Sequence, residues 1–183
     1  MDLKQIARHF HRHLIAMLLL LSVCMSLRAE RDKDTLRQRI RTIVEKLRSE
    51  KEVHFGNPVG FAGRRETNNK YYRKYLKLQK RASDRELLAL TNDNSKEIVI
   101  YAVTILHSRQ YTDLKAIFFE HQNDTAWYWT ASGCTGVLNR VNWYMLRLLR
   151  PDQGSNSKNS MTKDEYNLYC DKFHKRDEVF TCN

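Results

Sequence analysis

The residues of this chain that could do chemistry are a cysteine, two histidines and an aspartate in its second half. Cys134, His107, His121 and Asp124 supply the residue types of a thiol nucleophile, a general base and a carboxylate that orients the base. No sequence motif of a thiol enzyme surrounds them, and Cys134 falls on the apolar side of a helix predicted over residues 126–134. We therefore expect Cys134 to be a buried structural residue, and we expect no enzyme activity.

The C-terminal cysteines could support a second kind of chemistry. Cys170, His174 and Cys182 are three zinc-ligand types, but their Cys-x3-His-x7-Cys spacing matches no familiar zinc site. A disulfide between Cys170 and Cys182 is the better interpretation for an exported protein, because an oxidising compartment favours such bonds. We expect no metal ion and no cofactor.

Residues 1–29 predict a targeting leader. Basic residues precede the apolar run 14–27, which is too short to span a membrane but fits a signal-peptide core. Cys24 follows a sequence close to a lipobox, so lipidation at Cys24 is the alternative to ordinary cleavage. We expect an exported protein, either periplasmic or membrane-anchored as a lipoprotein. Basic residues after the run leave open an uncleaved anchor with the body on the cytoplasmic side.

The remaining chain is predicted to be a single helical domain with an appended helix. Hydrophobic periodicity and capping residues predict helices after Asp34, over 70–81, from Ser83, and at 96–108, 113–121, 126–134 and 139–149. These helices form a domain over residues 30–150. A polar linker, 151–161, leads to a last helix and tail, 162–183, which the capping box Thr162-x-x-Glu165 opens.

A repeat of 31 residues relates two of the predicted helix pairs. It aligns Leu87 with Phe118, and Ile98 with Trp129, so that apolar residues meet apolar residues. Helical units that cannot bury their apolar faces alone stack on neighbours. The repeat therefore predicts an all-α fold, a short α-solenoid of antiparallel helix pairs closed by capping helices at either end.

The first of these units resembles a known family. Leu87-Leu88-x-Leu90, followed by Asp93, Ile98 and the Tyr101-Ala102 pair, is similar to the HEAT repeat, which pairs two antiparallel helices. Two positions depart from the HEAT pattern, since Val99 replaces its arginine and Glu97 its proline. A looser likeness over residues 50–150 connects the chain to short, uncharacterised, exported or membrane-associated bacterial HEAT-like proteins. The resemblance implies a binding surface and carries over no catalytic residue.

An aromatic cluster in the second unit offers the most specific partner contact. Trp127, Tyr128 and Trp129 are consecutive, and residues two apart on a helix cannot share a face. Trp127 and Trp129 should therefore not both be buried, and exposed tryptophan is a favoured interface anchor. We expect a noncatalytic HEAT-like interaction or scaffold module that binds a protein or peptide through a helical face. The sequence does not predict its oligomeric state.

The positive charge supports an alternative function. Most of the formal net charge of +11 lies in residues 30–82, whereas residues 83–150 are electrically balanced. Such a surface attracts polyanions or acidic membranes, although a solvated helix face is the simpler interpretation. The stripe of Tyr72, Tyr75 and Leu76 indicates core packing, so we do not expect nucleic acid to bind. The residues that could bind anions in segment 31–81 are Arg37, Arg41, Arg48, Lys74, Lys77 and Arg81.

Overall fold

A computed structural model describes residues 36–56, 69–132, 135–151 and 160–176, apart from the side chains of residues 131, 132 and 135. The predicted leader with Cys24, the hairpin-end Cys134, most of the linker 151–161 and the tail with Cys182 lie outside the described residues. Among the described helices, none is both long and apolar enough to cross a membrane.

Within these ranges the chain forms seven helices and three strands. In chain order they are α1 (Gln38–Arg48), β1 (Glu52–Val53), α2 (Lys70–Arg81), α3 (Asp84–Thr91), α4 (Lys96–Ser108), α5 (Leu114–His121), β2 (Trp127–Ser132), β3 (Thr135–Arg140), α6 (Val141–Leu148) and α7 (Lys163–Arg176). All of them belong to one compact unit that begins at Gln38.

The core is built around α4, which has apolar residues on every side. A helix that is apolar all round must be enclosed, and α4 packs against α1, α3, α5, α6, β1 and β2. Its buried residues are Ile98, Val99, Ile100, Tyr101, Ala102, Val103, Ile105 and Leu106. The positions of these six neighbouring elements are therefore set by the surfaces of α4 that they cover.

The two predicted capping boxes are confirmed. The Ser83 hydroxyl accepts from the Glu86 amide at 3.3 Å, and the Glu86 carboxylate accepts from the Ser83 amide at 2.9 Å. The same reciprocal pair joins Thr162 and Glu165, with distances of 2.8 and 3.2 Å. Each box satisfies amides that the first turn of a helix leaves without partners, so α3 and α7 begin where predicted.

The predicted helix over 126–134 is wrong, because its described residues form a strand. β2 pairs antiparallel with β3, from Trp127↔Arg140 to Ser132↔Thr135, and β1 pairs parallel with β2. Aromatic and β-branched residues such as Trp127, Tyr128 and Thr130 favour strands. The helix expected over 139–149 starts only at Val141, after β3.

The fold is therefore mainly helical with a small three-stranded sheet, and the prediction of an all-α fold was too narrow. The 31-residue offset aligns Ile98 in α4 with Trp129 in β2, so a helix position corresponds to a strand position. Apolar residues alternate with polar ones in β2 and lie all round α4. The offset therefore aligns residue types and not structural positions, since Ile98 is fully buried whereas Trp129 is 47% exposed.

An aromatic cluster connects the sheet, α2, α4 and α6. Phe55 stacks on Tyr144 with a centroid distance of 5.9 Å and meets the edges of Tyr75 and Tyr101. Burial raises the pKa of Tyr75 to about 12. Leu76, which the sequence pattern placed in the core stripe, is instead 40% exposed, while Leu78 is buried.

The last helix packs on the body of the fold. Phe118 of α5 meets the edge of Tyr169 at 5.0 Å, and Lys115 donates to the Glu165 carboxylate at 2.9 Å. The Lys115 ammonium holds the pKa of the Glu165 carboxyl below its usual range. α7 thus packs against α5 within the compact unit that begins at Gln38.

Arg109 ties three helix ends together. Its guanidinium donates to Asp84 at the start of α3, at 2.6 Å, and to the carbonyls of Gln79 and Ala82 at the end of α2. Arg109 itself follows the last residue of α4. Carbonyls at a helix C-terminus have no partner within the helix, so a guanidinium is a suitable donor for them.

We expect Arg109→Met to lower the free energy of unfolding by about 2 kcal/mol, because it removes several charge-assisted hydrogen bonds but keeps the length of the side chain. Urea unfolding measures the change. The matched control is Arg39→Met on the exposed face of α1, which should change stability by less than about 0.5 kcal/mol. Equal stabilities of the two variants would mean that Arg109 does not hold these helix ends.

Candidate functional site

The structure brings together only part of the residue set that resembled a thiol enzyme. His121 and Asp124 lie 3.8 Å apart between Nδ1 and Oδ2. The contact with His121, followed by the Ala126 amide, holds the pKa of the Asp124 carboxyl below its usual value despite partial burial. Asp124 thus acts as a turn residue before β2. Cys134 lies outside the described residues.

His107 has a structural environment. Its Nε2 is buried without a hydrogen-bond partner, and the ring interacts with the Leu148 backbone. Burial lowers the pKa of His107, and the Leu148 carbonyl opposes that effect only in part. A protonated His107 would bury a second N–H with no acceptor, so the neutral form fits this position better.

Cys170 is disulfide-bonded, and its partner lies outside the described residues. The pairing with Cys182 therefore stays a prediction. A sulfur atom in a disulfide is no longer a thiolate and does not bind zinc. This argues against the alternative of a zinc site formed by Cys170 and His174.

A group of Glu50, Glu52 and His54 has ligand types that sequence reasoning missed. Their ligand atoms lie within 4.8 Å of one another, and the alternation of these residues along an extended segment was the signal. The hydrogen bonds of Asn69 determine whether His54 can act as a metal ligand. Its Oδ1 caps α2 by accepting from the Tyr71 amide, so its Nδ2 must be the group that donates to His54 Nδ1 at 3.1 Å.

The Asn69 donor fixes the tautomer of His54. With the lone pair of Nδ1 engaged, a neutral His54 carries its proton on Nε2, which is then a donor and has no lone pair for a metal. The ring also stacks on Tyr71, and its own amide donates to the buried Tyr101 hydroxyl. We interpret the group as a hydrogen-bonding cluster at the start of the sheet.

The aromatic residues at 127–129 form a surface on the hairpin. Alternate residues of a strand share a face, so Trp127 and Trp129 lie together and Tyr128 points the opposite way. Tyr128 is 1% exposed and belongs to the core, whereas Trp129 is 47% exposed. The expectation that Trp127 and Trp129 lie on different faces came from the helix geometry and is corrected here.

We call this surface the hairpin face. It consists of Trp127, Trp129 and the cross-strand neighbours Leu138 and Arg140, with Trp143 at its end. The Arg140 guanidinium lies over both the Trp127 and the Trp143 rings, at 4.5 and 5.0 Å from their centroids. These contacts fix one end of the face, while Trp129 and the 42% exposed Leu138 remain open at the other.

A glycine under Trp129 explains the position of that ring. A Cβ on Gly136 would lie 2.8 Å from Cε3 of Trp129, so only glycine leaves room for the indole to lie across β3. The pair is diagonal across the two strands, a distance that aromatic side chains can span. Trp129 is therefore exposed but held against its own sheet.

The backbone of β3 has one edge that faces away from the sheet. The Val141 amide donates to the Ala126 carbonyl, which sets the alternation of hydrogen-bonded pairs along the hairpin. In that alternation Leu138 is a non-hydrogen-bonded partner of Trp129, so its N–H and C=O point outward. Within the described ranges the strand order is β1-β2-β3, and no strand pairs with this edge.

The predicted anion-binding residues are distributed over two helices and are not equivalent. Arg48 donates to Asp93 and Glu45, at 2.6 and 2.5 Å, so its charge is used within the fold. Of the remaining predicted anion-binding residues, three also interact with other groups of the protein: Arg37, Arg41 and Arg81. Lys74 and Lys77 lie on the outer side of α2, and Lys46 and Arg73, which the sequence analysis did not select, lie near them.

We expect His107 to make stability depend on pH. Because burial lowers its pKa in the folded state, the unfolded chain binds a proton more readily, and the contribution is complete above pH 6.5 and is lost as the pH falls below it. His107→Gln keeps a donor for Leu148 and should reduce this loss. Urea unfolding at several pH values measures the free energy of unfolding of the wild type and of His107→Gln. An equal loss of stability with falling pH in both proteins would contradict the prediction.

We also expect a Gly136 Hα resonance to be displaced from its ordinary position, because the hydrogen in the Cβ direction lies close to the Trp129 ring and is affected by its ring current. Trp129→Ala should return the resonance to an ordinary position, whereas Trp127→Ala should leave it shifted. Proton NMR spectra of the three proteins measure the effect. A Gly136 signal that is the same in all three would place the indole elsewhere.

Known proteins add no functional assignment to this geometry. Comparisons with protein-family models, with curated proteins and with solved structures find no match to this chain. The hairpin face, the open edge of β3 and the cations of α1 and α2 are therefore the features on which a functional argument can be based.

Proposed function

We propose that this chain is a noncatalytic binding module whose partner is an extended peptide segment of another protein. One observation carries the proposal: the open edge of β3 lies directly beside two large, exposed apolar side chains, Trp129 and Leu138. An open edge offers backbone hydrogen bonds to an added strand, and neighbouring side chains give that strand specificity. The binding surface in this proposal is the hairpin and not a helical face.

The side chains along β3 indicate the chemistry of the partner. An added strand would place apolar residues opposite Val137 and Leu138, which are 46% and 42% exposed. The next partner residue would lie opposite Asn139, whose carboxamide accepts from Arg147 at 3.3 Å. A positive charge there favours an acidic residue, and a second acidic residue fits opposite Arg140. A second copy of this chain, which is itself strongly basic, fits less well.

The helices support this surface and do not form it. We propose that the pair of α3 and α4 is a HEAT-like unit, since the two helices pack together and are joined by the turn 92–95. α4 also packs against β2 and α6, which carry the tryptophans. A scaffold of this kind keeps the hairpin in one conformation, which reduces the entropy lost when a partner binds.

The test uses a capped, fluorescein-labelled peptide in which two glutamates precede two valines, the order that matches β3 in antiparallel pairing. We expect binding, measured by fluorescence anisotropy, to weaken about tenfold or more for Trp129→Ala or Leu138→Ala. Leu168→Ala removes a 65% exposed leucine from α7 and should leave binding unchanged. A peptide with lysines in place of the glutamates should bind more weakly.

Methylation of the peptide backbone distinguishes strand addition from contact by side chains alone. In an added strand, successive amides point alternately toward β3 and away from it. Of two peptides N-methylated at adjacent valines, one should therefore bind about tenfold more weakly and the other should bind normally. Equal binding of the two methylated peptides would exclude strand addition. Equal binding of the unmethylated peptide by the wild type and by Trp129→Ala would show that the hairpin face is not the binding surface.

A further inference from the structure

α2 has a positively charged outer side with no acidic residue of its own. Six of its twelve residues are lysine or arginine, and none is aspartate or glutamate. Tyr75 and Leu78 are buried on the inner side, which leaves the cations in solvent. Lys70, Arg73 and Lys77 follow one another at helical spacing, so they lie along a single stripe.

α1 packs against α2 and brings Lys46 near Lys74, a further cation of α2. Repulsion from Lys46 is the largest cause that lowers the pKa of the half-buried Lys74, followed by desolvation and by repulsion from Lys77 and Arg73. We call Lys46, Arg73, Lys74 and Lys77 the cationic cluster. Within the described residues, no carboxylate forms an ion pair with any of the four, whereas the nearby Arg48 has two such partners.

The tyrosines between these cations are buried or half-buried, and their rings are engaged in contacts within the fold. Tyr72 stacks on Tyr75 inside the aromatic cluster, and Tyr71 stacks on His54. Proteins that bind single-stranded nucleic acid without sequence preference place aromatic rings where bases can stack on them. On this helix the exposed apolar residue is Leu76, an aliphatic side chain three residues after Arg73. The rings of Tyr71, Tyr72 and Tyr75 are already engaged in stacking contacts, so the charged side of α2 fits headgroup phosphates better than bases.

We propose that the cationic cluster docks the protein on a membrane surface that contains anionic phospholipids. Each cation near such a surface adds a favourable interaction with headgroup phosphates. The predicted apolar leader run ends at Leu27, ten residues before α1. A leader that stays in the membrane, or is lipidated, would keep α1 near the surface. This inference does not depend on the hairpin face.

The test measures sedimentation of the full chain with two kinds of vesicle, phosphatidylcholine alone and phosphatidylcholine mixed with phosphatidylglycerol. The leader is the same in every protein, so the ratio of the two affinities isolates the electrostatic contribution. We expect the wild type to prefer the anionic vesicles by about tenfold or more, and we expect added salt to remove the preference. Lys74→Glu with Lys77→Glu should abolish it.

The control for total charge is Lys163→Glu with Lys175→Glu, which makes the same change at two exposed residues of α7. It should keep most of the preference for anionic vesicles, and circular dichroism should show both double variants folded. Lys46→Gln, a milder change in the centre of the cluster, should reduce the preference without abolishing it. Equal binding of wild type to both vesicles, equal loss in both double variants, or binding of heparin without binding of anionic vesicles would each overturn the proposal.

Discussion

The enclosure of α4 is the constraint on which the rest of the structure depends. A helix with apolar residues on every side cannot remain in water, and no single neighbour can cover it. α1, α3, α5 and α6 cover it from several directions, and the sheet covers the remainder. Ile98 and Leu106, near its two ends, are both fully buried. The inner side of the hairpin therefore helps to cover α4, and its outer side carries Trp127 and Trp129.

The features that the sequence predicted correctly are local. The capping boxes at Ser83 and Thr162 need only residues three positions apart, and the boundaries of α2 and α4 follow from periodicity and flanking polar residues. The hairpin was missed because β2 was read with the period of a helix under the influence of an apparent repeat. Tryptophan, tyrosine and threonine in alternation, followed by Gly133, indicate a strand and a turn when read without the repeat.

Other features depend on contacts between residues far apart in the sequence, which periodicity cannot show. Arg109 reaches Asp84 across 25 positions, and Arg48 reaches Asp93 across 45. The first contact holds helix ends together, and the second engages the charge of one predicted anion-binding residue in an ion pair. Of the aromatic surface, the sequence predicted Trp127 and Trp129. The sequence prediction also assigned Tyr128 to this surface. Only the strand geometry shows that Tyr128 points to the side opposite Trp127 and Trp129.

The positions of the tryptophans make the hairpin face optically distinct. The chain has three tryptophans, and Trp127, Trp129 and Trp143 all belong to this one surface. The core aromatic cluster is built instead from Phe55 and from tyrosines such as Tyr75 and Tyr101. Indole emission excited at its red edge therefore originates at the hairpin and nowhere else in the chain. Unlabelled protein thus carries an intrinsic reporter whose spectrum follows the solvation of a single surface.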